Sequence, residues 1–94
     1  MDDHRLKKLL YRAEHRGFRE ADIIIGGFAR QHLAELSPAQ LDEFELLIEQ
    51  PDPDLYAWII GREPAPEAFA GEVFELIRTF RFFAHTTIGA ERGS

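Results

Sequence analysis

Cysteine is absent from this chain of 94 residues, which removes disulfide frameworks, thiolate metal sites and cysteine nucleophiles together. Long apolar runs are missing too. The longest, Ile23 to Ala29, falls far below the roughly 18 residues that a membrane span requires. The four histidines, His4, His15, His32 and His85, never adopt a paired metal spacing such as His-Glu-x-x-His. Gly26-Gly27 lacks the third glycine and the lysine of a phosphate-cradling loop. Repeats and low-complexity tracts are also missing. The opening Met1-Asp2-Asp3-His4-Arg5 is acidic at once. It has neither the apolar block of a secretory signal nor the acid-poor character of a transit peptide, so the expected location is the bacterial cytoplasm, with a processed organellar protein as the alternative. Together these absences point away from an enzyme and from a protein with a metal or cofactor of its own.

What is present suits one small domain. An apolar fraction of 45% and a charged fraction of 30% are ordinary for a globular chain. A domain of this size buries only roughly 60–70% of its unfolded surface, enough for one core. The formal net charge of −6 is unevenly spread. Residues 1–20 hold six basic and four acidic side chains, whereas residues 21–76 hold two basic and twelve acidic ones. Such polarity suits either a basic patch that steers an acidic partner or simply a solvated face.

Every segment reads as helix, giving an all-α fold: a small bundle of about five helices with short connections. The first segment, about residues 2–16, carries Leu6, Leu9, Leu10 and Ala13 at helical spacing, with Arg5, Arg12 and Arg16 on a neighbouring face. Gly17 follows where a left-handed residue would end that helix. The second, about 19–35, has Ala21, Ile24, Ile25, Phe28, His32 and Leu36 on one stripe. Gly26-Gly27 within it reads as a close helix approach, with a local break as the alternative.

Ser37, Pro38 and Gln40 spell a capping box, with Leu36 and Leu41 as a hydrophobic staple. The third helix faces the core with Leu41, Phe44, Leu47 and Ile48 and stops at Pro51. Asp52-Pro53 repeats the cap-then-proline device and opens a short helix with Leu55, Trp58 and Ile59, ended by Gly61. Trp58 is expected to anchor the core. A fifth helix is expected from about Pro66 to Ala84, burying Phe69, Val73, Leu76, Ile77, Phe80 and Phe83. The expected organisation is one helical domain over 1–85 and a disordered tail over 86–94.

Few residues suggest chemistry. His32 on its apolar stripe reads as a partly buried structural histidine, and His85 suits a helix C-terminus. Asp42, Glu43, Glu45 and Glu49 read as the solvated side of the third helix. Ser37 is occupied by capping, leaving no serine with an assigned base. The densest feature is the string Arg16-Gly17-x-x-Glu20-x-Asp22. One reading is structural: a cation in the last turn of one helix, a glycine stop and anions in the first turn of the next all suit the helix dipoles. Arg16 would then pair with Glu20 across the turn, contributing at most about 1 kcal/mol if exposed. The other reading is a functional site at the junction.

The run Leu9-Leu10-Tyr11-Arg12 with His15-Arg16-Gly17-Phe18-Arg19-Glu20-Ala21-Asp22 resembles the succinate dehydrogenase assembly factors that promote flavinylation, whose signature is Arg-Gly-x-x-Glu. A second block, Asp52-Pro53-Asp54-Leu55-Tyr56-Ala57-Trp58, looks like the same family's Asp-Leu-aromatic-x-Trp segment. The two blocks and their spacing cover about residues 5–80. The resemblance implies a helical bundle that binds the flavoprotein subunit of succinate dehydrogenase, with the related fumarate reductase flavoprotein as a second bacterial partner. It also implies that the bundle favours covalent attachment of FAD to a histidine of that partner. FAD would belong to the partner, and this chain would hold no cofactor. The partner-binding residues implied are Arg16, Gly17 and Glu20, extended by Asp22 and Arg12. Gly17 without a Cβ admits another backbone, and Arg16 and Glu20 supply charge-assisted hydrogen bonds.

A different class of function is a helical regulator of another target, such as an antitoxin, which the identity of a co-purifying protein would distinguish. A helix-turn-helix DNA binder fits poorly, because the chain is acidic and lacks a second basic helix for recognition. Neither nucleic acid nor membrane is therefore an expected partner.

Overall fold

A computed structural model describes residues 3–17 and 19–81. Helix α1 (Asp3–Glu14) follows its apolar spacing, burying Leu9 and Ala13 and packing Leu6 and Leu10 against the core. Helix α2 is continuous but changes pitch. An α-turn Arg19–Ala21 runs into a π-helical turn Asp22–Gly26, then into α-helix Gly27–His32, and a 3-10 turn Leu33–Glu35 closes it. The glycine pair explains the irregular stretch. A Cβ on Gly26 would lie 3.2 Å from the Glu14 Cα, and one on Gly27 would lie 3.2 Å from the Phe80 ring. The close-approach reading is therefore right. The local irregularity is an extra residue in the helix and no break.

Helix α3 (Pro38–Ile48) begins as its sequence dictates: the Gln40 N–H donates to Ser37 Oγ at 3.1 Å, and the Ser37 N–H to Gln40 Oε1 at 2.9 Å. Helix α4 (Asp52–Ile59) ends in a Schellman motif. Gly61 adopts φ +81°, its N–H reaching Trp58 O while the Arg62 N–H reaches Ala57 O. Gly61 has the one positive φ among the described residues, so Gly17 is not the left-handed helix stop expected from its position.

The fifth helix differs most from expectation. Glu67–Phe69 forms only a 3-10 turn, and helix α5 covers 72–81. Its buried residues are Val73, Phe74 and Ile77, with Phe80 partly covered, while Leu76 is 41% exposed. Phe69 belongs to a separate turn, so the period that linked it to Val73 and Leu76 spans a break in the helix. Its ring instead stacks on Trp58 at 5.4 Å. Trp58 is accordingly half-buried at the core's edge and is not a central anchor. Phe83 and the 86–94 tail lie outside the described residues. One core joins all five helices, from Leu9 through Phe28, Phe44 and Leu55 to Ile77.

Candidate functional site

The junction between α1 and α2 is gripped from two sides. After α1 ends, the Arg16 N–H donates to Asp22 Oδ1 at 2.5 Å, so a residue of the next helix satisfies a backbone group of the turn. The Arg16 side chain turns inward and is only 8% exposed. Its Nε donates to Asp52 Oδ1 at 2.6 Å, and its two terminal nitrogens donate to the carbonyls of Ile48 (2.5 Å) and Gln50 (3.1 Å). Those carbonyls close the end of α3, where a cation suits the helix dipole. Asp52 occupies the first turn of α4, where an anion suits the opposite pole. The guanidinium thus staples the α3–α4 elbow to the end of α1.

Asp52 is missed as a partner by local sequence reasoning. It is the first residue of α4 and not its N-cap. Its second oxygen, Oδ2, accepts from the Gly17 N–H. A Cβ on Gly17 would stand 2.5 Å from that oxygen, so a larger residue here makes the Asp52 carboxylate shift, whatever the φ. The separation of 36 residues between Arg16 and Asp52 leaves no period to reveal the pair. The one available signal was that both blocks of the family resemblance contain a member of it.

Of the five residues expected at the site, the structure brings Arg16, Gly17 and Asp22 into one closed network. Arg16 pairs with Asp52 and not with Glu20. Glu20 is exposed and Arg12 half-buried, and neither makes an ion pair among the described residues.

The presumed basic face is likewise broken up. Arg5 reaches Asp42 at 2.6 Å and Glu45 at 3.1 Å on α3, pairs made on the solvated side expected for those two carboxylates. Hydrogen bonding to Asp42 first, then Glu45, raises the Arg5 pKa. Arg30 binds Glu14. Glu43, expected at the surface, accepts from the Val73 N–H at 2.7 Å and the Phe74 N–H at 3.3 Å, capping α5 from a neighbouring helix. His32 keeps the structural part expected of it, its ring 5.3 Å from Phe28 and 5.9 Å from Phe80. No cluster of three or more metal-ligating side chains occurs among the described residues. No described helix is long and apolar enough to cross a membrane.

The described residues thus form a small helical bundle whose densest polar network, around Arg16 and Asp52, closes on itself. The family model described as flavinator of succinate dehydrogenase matches residues 7–81, and the chain belongs to that family. It is 42% identical over 72 residues to succinate dehydrogenase assembly factor 2, mitochondrial, of Dictyostelium discoideum, covering 77% of this chain and 51% of the relative. The corresponding protein of Danio rerio is 38% identical over 80 residues, covering 83% and 51%. FAD assembly factor SdhE of Acetobacter pasteurianus is 43% identical over 63 residues, covering 67% and 58%. The chain therefore spans about half the length of the curated relatives it matches. These relatives are assembly factors by name.

Proposed function

We propose that this chain is an assembly factor that binds the flavoprotein subunit of succinate dehydrogenase and promotes its covalent flavinylation with FAD. Membership of the flavinator family over residues 7–81 carries this reading. The chain acts as a helper and not as an enzyme. The bond forms between the flavin and a histidine of the partner, so the helper need only favour the partner conformation in which that reaction proceeds. FAD stays with the partner. The fumarate reductase flavoprotein is the second partner, and the setting is the bacterial cytoplasm.

Within this reading the five site residues divide by what they touch. Glu20 and Arg12 meet the flavoprotein, since their charges have no ion-pair partner among the described residues. Arg16, Gly17 and Asp22 shape the junction from which those charges project. Losing one member of a charge pair desolvated in the complex costs roughly 2–5 kcal/mol of binding, whereas exposed charges contribute little to the fold.

The experiment is co-expression of the flavoprotein with limiting amounts of wild type, Glu20→Ala or Arg12→Ala, reading covalent flavin on the denatured subunit. The expected result is wild-type co-purification with the flavoprotein, flavin restored by wild type and reduced by both variants, and no flavin absorption from the helper alone. Co-purification with an unrelated target and no change in flavin would replace this reading with that of a helical regulator.

A further inference from the structure

The geometry points to Asp52 as the positioning residue of the docking junction: its carboxylate, carried on α4, fixes the backbone at Arg16 and Gly17 and through them the presentation of Glu20. This rests on the reading above, in which the junction meets the flavoprotein.

Three observations carry it. First, Asp52 is the first residue of α4 and not its N-cap, a place where an anion suits the helix dipole. Both of its oxygens are spent on the α1–α2 junction: Oδ1 on Arg16 Nε at 2.6 Å and on a terminal Arg16 nitrogen at 2.5 Å, Oδ2 on the Gly17 N–H. Second, a side chain at 17 displaces the carboxylate at 52 from its present position, because a Cβ would stand 2.5 Å from Oδ2. The glycine of the family signature therefore makes room for Asp52, a neighbour within the fold. Third, the far side of the junction is tied by Asp22, which accepts from the Arg16 N–H at 2.5 Å. Glu20 lies in the sequence between these two anchors, so its direction follows from them. Moving Asp52 releases one anchor while leaving every charge of the outward surface in place.

The test uses the full chain with the flavoprotein. Asp52→Asn keeps the side chain's size and removes its charge. Phe44→Leu, on the buried face of α3, serves as a control brought to the same melting temperature. Two readouts are taken: the Gly17 amide proton resonance, and covalent flavin as a function of helper concentration. Asp52→Asn is expected to move the Gly17 amide upfield and to raise the half-saturating helper concentration about tenfold with the plateau unchanged, as when the competent fraction falls to a tenth. Phe44→Leu is expected to leave half-saturation within about twofold, since its competent fraction is unaltered at the assay temperature. Adding Gly17→Ala to Asp52→Ala should cause no further loss, because the methyl then displaces no carboxylate.

Wild-type half-saturation in Asp52→Asn despite a moved Gly17 amide overturns the positioning role and leaves the proposed function standing. An unmoved amide, an equal loss in Phe44→Leu, or additive losses in the double variant overturn it as well. A wild-type chain that fails to raise flavin content overturns both readings.

Discussion

Two arginines of α1 and its exit make ion pairs of nearly the same length in opposite settings. Arg16 meets Asp52 at 2.5 Å with side-chain exposures of 8% and 19%; Arg5 meets Asp42 at 2.6 Å with exposures of 32% and 74%. Distance alone would rank them equal. Around Arg16 the carbonyls of Ile48 and Gln50 and the Gly17 amide complete the hydrogen bonding of both partners. Removing one member there strands a charge that water reaches poorly. Around Arg5 water takes over whatever is lost. The difference lies in what surrounds the pair.

The comparison can be broken by experiment, beginning where the effect is largest. Arg16→Ala should lower unfolding free energy by about 1.5–3 kcal/mol, the usual range for losing hydrogen bonds to a charged group, here at a partly buried pair. Urea unfolding followed by circular dichroism measures it. A loss of 1 kcal/mol or less would return Arg16 to the exposed junction that its sequence position suggests. Glu43→Ala should come next, at about 1–2 kcal/mol, because the first amides of α5 lose their acceptor. Faster hydrogen exchange at Val73 and Phe74 would localise that loss to α5, and unchanged exchange there would refute the capping assignment. Arg5→Ala should be the mildest, with an unfolding midpoint within experimental scatter of wild type at moderate salt. A shift comparable to that of Arg16→Ala would erase the distinction between the two pairs.

What could be read from the sequence was what neighbours along the chain decide. Ser37 and Gln40 close a capping box with each other, and Gly61 ends α4 within its own turn. The stripes of α1 and α3 face the core as their spacing requires. The fifth helix was misplaced because an apolar period continues in register across a 3-10 turn and a glycine. Phe69 lent its phase to a helix that begins after it, and Leu76 was assigned a buried place that Phe74 holds. Gly17 reads from the sequence as a residue of backbone freedom, whereas in the fold it lies against the Asp52 carboxylate. Asp52 and Glu43 were assigned local duties as a cap and a surface charge. Their partners, Arg16 and the start of α5, lie 36 and 30 residues away. The site could be located in the sequence, but its construction could not.

That separation of 36 residues also orders events in time. Contacts distant along a chain form only after the loop between them has closed, and a protein made from its N-terminus has no residue 52 until three helices have been synthesised. Until then Arg16 lacks its carboxylate and the turn before Glu20 lacks its anchor. The turn before Glu20 thus acquires its anchor only once α4 has begun. A copy cut short before residue 52 would carry every residue of the signature without the carboxylate that holds Arg16 and Gly17.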